Sequence, residues 1–91
     1  MDDQATIATD ILARYAADAA REVEGVRAVA GRRGVRISGK EAIRVEIHVV
    51  AERSVSIPAL GSAVQKRVRE YLSSMADVEP ASVDVVVDAI E

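Results

Sequence analysis

The chain has 91 residues, of which 49% are hydrophobic, and a formal net charge of -3. A chain of this length predicts one domain over residues 1–91, with one core between a sheet and its helices. It has no cysteine, which excludes disulfides, a thiolate nucleophile and sulfur ligands for a metal.

The hydropathy pattern shows no run that approaches the roughly 18 apolar residues of a membrane span. The N-terminal residues 1–4 are acidic, whereas a signal peptide begins with basic residues and continues into an apolar segment. We therefore expect a cytoplasmic protein without direct membrane insertion.

The first predicted element is a helix that begins at Thr6 or Thr9 and ends near Val23. Its apolar residues recur at helical spacing: Ile7, Ile11, Leu12, Tyr15, Ala16, Ala19 and Val23. Gly25 follows, and glycine readily takes the left-handed backbone that ends many helices.

Two short strands are predicted next, Val26–Ala30 and Val35–Ser38. Residues 31–34 join them and have glycine at both ends, which favours a tight hairpin. Residues 39–42 form a second turn into a long third strand, so the pattern predicts an antiparallel meander of three strands.

The central unit is the third strand, residues 43–52, and the helix after it. The strand alternates strictly between apolar and mostly polar side chains, which indicates one buried and one open face. Ser56 is a good N-cap, Pro58 suits the first turn, and apolar residues then follow at helical spacing. These residues are Leu60, Val64, Val68, Leu72 and Met75.

The last strand, Ser82–Ile90, also alternates, and a right-handed crossover makes it parallel to the third strand. Both long strands carry one charged face, so both helices are expected on the other. The prediction is an α+β fold, a two-layer α/β sandwich of order α-β-β-β-α-β with a mixed four-stranded sheet and both helices on one face.

The polar residues of the strands include the candidates for catalytic groups. His48, the only histidine, has Glu46, Glu52, Asp84 or Asp88 as nearest candidate partners, but a solvated strand histidine is the simpler interpretation. Asp84 and Asp88 are too far apart along one strand to share a cleft, and they suit cross-strand pairing with bases such as Arg44. We expect no catalytic residue, no cofactor and no metal site, and hence no enzyme.

Basic residues are concentrated between residues 27 and 44, a segment with six basic residues and one acidic residue. This segment suggests an alternative function, nucleic-acid binding. Its candidate contacts are Arg27, Arg32, Arg33, Arg36 and Lys40. The sequence of residues 31–34 also matches the G-x-x-G loop of KH domains, but its predicted flanks are strands, and no aromatic platform is present for stacking bases. A solvated turn is the favoured interpretation.

The open sheet face is the remaining candidate. Apolar Val50, Val86 and Ile90 lie there among charges, as in a docking or self-association surface. The alternative is that small exposed valines on a strand have no role. The predicted interaction residues are Arg44, Glu46, His48, Val50, Asp84, Val86 and Asp88.

Three segments are distinctive: residues 22–26 (EVEGV) after an alanine-rich helix, residues 55–58 (VSIP) before a helix with the pattern VQKRVR, and the closing strand segment VDVVV at 83–87. Together they resemble the alkaline-shock-protein family of Gram-positive bacteria. The resemblance runs from Ile7 to Ile90. Relatives often carry a longer glycine-rich insertion between the first two strands.

The resemblance implies a non-enzymatic cytoplasmic protein of the cell-envelope stress response. It implies self-assembly into a homo-oligomer and recruitment to the inner face of the membrane by an integral membrane protein. The family has no catalytic motif to transfer to this chain.

Overall fold

A computed structural model describes residues 2–30 and 34–91, with side chains described from residue 9 onward. The elements follow one another as α1 (Asp2–Arg21), β1 (Val26–Val29), β2 (Val35–Ser38), β3 (Arg44–Ala51), α2 (Ile57–Ala76) and β4 (Ser82–Ile90). The predicted order α-β-β-β-α-β and the α+β class are confirmed.

The sheet is organised around β3, which pairs with the other three strands. β4 runs parallel to one edge of β3, from the pair Arg44 and Ser82 to the pair Ala51 and Ile90. β1 and β2 run antiparallel along the other edge. The sheet is therefore mixed, as predicted.

The predicted meander is wrong, because β1 and β2 do not pair with each other. They lie end to end along the same edge of β3. His48 marks the junction: its carbonyl accepts from the N–H of Ala30 at 2.8 Å, and its N–H donates to Gly34 O at 2.6 Å. β3 is long enough for both short strands to pair with it, and residues 31–33 of the predicted hairpin turn lie outside the described residues.

One core joins both helices to one face of the sheet. On β3 the alternate residues Val45, Ile47, Val49 and Ala51 are at most 1% exposed. They belong to the same cluster as the buried residues of α1, α2 and β4, which are Leu12, Ala16, Ala19, Ala20, Leu60, Val64, Val68, Leu72 and Val83. Since both helices pack against the residues on this face, they lie on one side of the sheet.

The ends of the helices follow from local chemistry. The Ser56 hydroxyl accepts the N–H of Ala59 at 3.3 Å, and Pro58 lies in the first turn of α2, where its missing N–H breaks no helical bond. Asp77 ends α2 in the left-handed conformation, with φ of 56°. The first helix starts earlier than predicted, at Asp2.

The buried stripes of the helices are narrower than predicted. Ile11 is 42% exposed and Met75 is 51% exposed, although both fall on the apolar pattern. The two helices also meet at the margin of the core, where the partly buried Tyr15 and Tyr71 rings pack edge to face at 5.9 Å and Arg67 pairs with Glu22.

Candidate functional site: the open face of the sheet

The face of the sheet opposite the helices carries the predicted interaction residues. We call it the open face and define it by Arg36 and Ser38 of β2, Arg44, Glu46, His48 and Val50 of β3, and Ser82, Asp84, Val86 and Asp88 of β4. Strand register sets these side chains in rows across the sheet. Glu46 lies between Arg36 and Asp84, and Arg44 lies between Ser38 and Ser82.

His48 lies near the middle of the open face and contacts two carboxylates. Its Nε2 is 2.8 Å from an oxygen of Glu46, and its Nδ1 is 2.9 Å from an oxygen of Asp88. The side chain is 28% exposed. Hydrogen bonds to Glu46 and then to Asp88 raise the pKa of His48 above 6.5, against a smaller opposing effect of desolvation.

This arrangement refines the sequence interpretation of His48. A neutral imidazole has one donor and one acceptor nitrogen, so it can donate to only one of the two carboxylates. The protonated ring donates to both, which is why the geometry favours the charged form. The alternation of β3 is enough to indicate Glu46 as a partner, whereas the choice of Asp88 over Asp84 depends on the register between strands.

Asp88 reaches His48 through an irregularity in β4. The pairing of β3 and β4 shifts between Val49 and Val50, so that Val49 faces Val87 and Val50 faces Ala89. Asp88 is the extra residue at this irregularity and has no directly opposite residue on β3. A bulge of this kind redirects a side chain, and here it brings the Asp88 carboxylate to the imidazole.

Three further charges on the open face are available to a partner. Arg36, Arg44 and Asp84 are exposed, and none forms an ion pair with another residue in the described ranges. A shallow depression of about 220 Å³ lies among them and is lined also by Ser38 and Glu46. The predicted pairing of Arg44 with Asp84 or Asp88 is absent within these ranges.

Apolar side chains lie next to these charges. Val86 is 38% exposed. Ile90, predicted on this face, pairs with the buried Ala51 after the shift in β4 and therefore lies on the helix side of the sheet, where it is 52% exposed. Val50 is half-buried beside Ala28 and Ala89. The open face therefore has apolar residues at one end and mostly charged residues at the other, with the His48 cluster between them.

The basic residues proposed for nucleic-acid binding do not form one patch in the described part of the chain. Arg27 lies on β1 and pairs with Glu91 at 3.4 Å. Arg36 lies on β2, and Lys40 lies in the turn at the opposite end of β3 from Arg27. Arg32 and Arg33 lie outside the described residues.

The described residues offer neither a metal site nor a membrane span. No group of three or more histidine or acidic side chains among them is placed to hold a metal ion. In the same residues, neither helix is both long and apolar enough to cross a membrane.

The fold and this face define a class of protein: a small two-layer α/β domain with helices on one side of its sheet and a charged, partly apolar face on the other. Residues 30–91 match the alkaline-shock-protein 23 family, which is described as having a cell envelope-related function. The chain belongs to this family, and the resemblance seen in the sequence is confirmed.

Solved structures with a similar fold include C-terminal domains of MamM. A substituted variant has a TM-score of 0.62 at 17% identity, with 90% of this chain and 95% of that chain covered. A manganese form has a TM-score of 0.59 at 17% identity, with 88% and 96% covered. A cadmium form has a TM-score of 0.62 at 18% identity, with 90% and 96% covered. At such low identity the likeness shows the fold alone. The comparison with curated proteins gives no match.

Proposed function

We propose that this protein is a non-enzymatic interaction module of the cell-envelope stress response, and that it binds copies of itself and an integral membrane protein through the open face. The observation that carries the proposal is a sheet face with apolar side chains beside charges that have no partner in the described residues. The family description supports the link to the cell envelope.

The open face has the composition of an interface that forms and dissociates. Val86 and Val50 offer apolar area, and Arg36, Arg44 and Asp84 offer charges for the rim. Such interfaces combine an apolar centre with a polar edge, and complementary charges supply orientation and specificity. Both signs of charge are present, which suits contacts between copies of the same chain.

The site of action follows from the same family membership. We propose a cytoplasmic protein held at the inner face of the membrane by its membrane partner, because binding to an integral protein needs no membrane-spanning segment in this chain. A protein that acts by recruitment also needs no catalytic group, which is consistent with the absence of a catalytic motif in the sequence.

Self-association is tested by light scattering over a range of protein concentrations. Arg44→Glu and Val86→Asp alter the open face without removing a core residue, so we expect both to lower the apparent mass at high concentration while circular dichroism stays unchanged. Lys66→Glu is the matched control, since it reverses an exposed charge on α2 in the other layer. A wild-type protein that stays monomeric at every concentration would contradict self-association.

The membrane partner is tested by affinity purification from native cells with detergent-solubilised membranes. We expect the wild type and Lys66→Glu to retain the same integral membrane protein, and Arg44→Glu to lose it. If all three proteins recover the membrane protein equally, the open face is not the surface that binds it.

A further inference from the structure

The outer edge of β4 is a second surface with unused bonding groups. The side-chain amide of Gln65 donates to the carbonyl of Val83 at 2.9 Å, so this peptide group points away from β3. Peptide directions alternate along a strand, so those of Val85 and Val87 point outward as well. No hydrogen bond reaches them from the described residues.

This free edge has defined limits. At one end Gln65 covers Val83, and at the other end the shift in pairing between Val49 and Val50 disturbs β4 near Asp88. The regular free segment is therefore Asp84–Val87, four residues long. Free edges of this kind pair readily with another strand.

β2 presents an edge of the same length on the other side of the sheet. It spans the four residues Val35–Ser38. The peptide N–H and C=O of His48 point toward β1 and β2, so by alternation those of Glu46 point toward β2 as well. Arg36 is the partner of Glu46, so its own peptide groups point inward to β3. The peptide groups of Val35 and Ile37 therefore point outward, two residues apart, as do those of Val85 and Val87.

The charges of the two edges are complementary. From residue 82 onward the chain carries Asp84, Asp88 and Glu91 and no cation, whereas residues 26–40 carry cations and no acid. Pairing β4 with β4 would bring acids together, and pairing β2 with β2 would bring Arg36 next to its own copy. Like charges on neighbouring strands are destabilising, so the β4 edge favours the β2 edge of another copy.

We infer that the β4 edge of one copy pairs with β2 of a second copy, antiparallel, with Ile37 opposite Val85 and Val35 opposite Val87. Because β2 is antiparallel to β3 and β3 is parallel to β4, a copy displaced sideways without being turned over presents β2 in this direction. The helices of both copies then lie on the same side. Arg36 faces Val86 and lies diagonally next to Asp84 and Asp88.

The edge contact allows more than two copies to associate. It joins two different edges, so each copy keeps one edge free and further copies can add in the same way. The inference rests on the self-association in the proposed function, and it adds a contact between edges to the contact that copies make through the open face.

Cysteine cross-linking tests the register, since the natural chain has no cysteine. Arg36→Cys and Val86→Cys would place the two sulfurs on a directly opposed, non-hydrogen-bonded pair. The Cα atoms of such a pair are ~4.5 Å apart, within the range of a disulfide. On mild oxidation of an equal mixture we expect dimers that contain one chain of each kind, resolved by mass spectrometry.

Two controls measure the cross-linking expected without the proposed pairing. Val86→Cys mixed with Lys66→Cys measures random collision, and Val86→Cys alone measures pairing of β4 with itself. The inference is overturned if the Arg36→Cys mixture gives no more cross-linking than either control. A chain carrying both Arg36→Cys and Val86→Cys should give a ladder of covalent oligomers, and a ladder that stops at the dimer would also overturn it.

Arg44→Glu separates this inference from the proposed function, because Arg44 lies on β3 and takes no part in the edge pairing. If the membrane protein is lost from Arg44→Glu while the disulfide ladder forms in an Arg44→Glu background, both stand. If the ladder fails but capture of the membrane protein still depends on Arg44, only the edge pairing is wrong.

Discussion

His48 is held between Glu46 and Asp88, and its pKa is raised above 6.5 mainly by the hydrogen bond to Glu46. The chain has one histidine, so a single imidazole proton signal reports its titration by NMR. We expect a midpoint above 6.5 in the folded protein, lowered more by Glu46→Gln than by Asp88→Asn. A midpoint at or below 6.5 would contradict the ion-paired geometry.

The same shift predicts how stability depends on pH. A histidine whose pKa is higher in the folded than in the unfolded state contributes its full stabilisation below pH ~6.5 and loses it as pH rises through the folded pKa. The free energy of unfolding, from urea titrations at several pH values, should fall over this window in the wild type. His48→Gln should remove that pH dependence, and an equal dependence in both proteins would assign it to other groups.

Gly25 is required by its backbone conformation. Its φ is +101°, and an added Cβ would lie 3.1 Å from Leu60 Cδ1 and 3.2 Å from Val55 Cγ1. We expect Gly25→Ala to lower the free energy of unfolding by about 1–2 kcal/mol. Gly61→Ala is the matched control, because Gly61 lies inside α2 and a Cβ added there would contact nothing within 4 Å beyond its own stretch of helix, so we expect it to stabilise by up to about 1 kcal/mol. Chemical denaturation of the three proteins measures both changes.

Of the two carboxylates that contact His48, the sequence predicts one. Alternation along β3 predicts that His48 and Glu46 share the open face, and this is confirmed. The contribution of Asp88 is not predictable, because it depends on the shift in pairing between β3 and β4, which leaves no signal in residue type or spacing. The interpretation of His48 as simply solvated is incomplete for that reason.

Ser56 shows that local capping chemistry is readable from the sequence. The sequence predicts it as the cap of α2, and it caps the helix through the N–H of Ala59. We expect Ser56→Ala to lower the free energy of unfolding by about 1 kcal/mol. Ser62→Ala, at an exposed position inside the same helix, should instead raise it slightly, because alanine is the better helix former. Equal effects in thermal unfolding would mean that the cap contributes nothing.

The two short strands show where local patterns fail. The glycines at 31 and 34 resemble a tight turn, and a turn between adjacent strands usually makes them partners. The strands instead bond to the long neighbour β3, as Ala30 and Gly34 show by bonding to the same residue, His48. Pairing between strands is a non-local choice: by lying end to end, the two short strands pair with the whole length of one edge of β3, part of which a hairpin would leave unpaired.

The arrangement of layers is predictable because it depends on a pattern repeated in both long strands. Val45, Ile47 and Val83 are nearly fully buried, while Glu46, Asp84 and Val86 lie on the other face. Two strands with the same alternation bury the same side only if the helices share that side. The open face follows from this condition, but its occupant does not, since the partner's surface leaves no trace in the sequence of this chain.

Charge affects association between copies in two opposite ways, and salt changes each of them. The net charge of -3 makes two copies repel, and added salt screens that repulsion and favours association. Complementary pairs between an acidic β4 and a basic β2 attract, and salt weakens this attraction. The second effect acts between charges a few ångströms apart, whereas the net charges are separated by a whole domain.

The sign of the salt dependence therefore distinguishes the two effects. We expect the apparent mass from sedimentation equilibrium to fall as NaCl is raised from ~0.1 M to ~1 M, because the screening length shortens from ~10 Å to ~3 Å and even neighbouring charges become screened. Arg36→Asp should associate less than the wild type at low salt and approach it at high salt, while Lys66→Glu should follow the wild type throughout. An apparent mass that rises with salt would show that repulsion between the net charges of the copies outweighs the attraction between the two edges, and it would contradict the proposed charge complementarity.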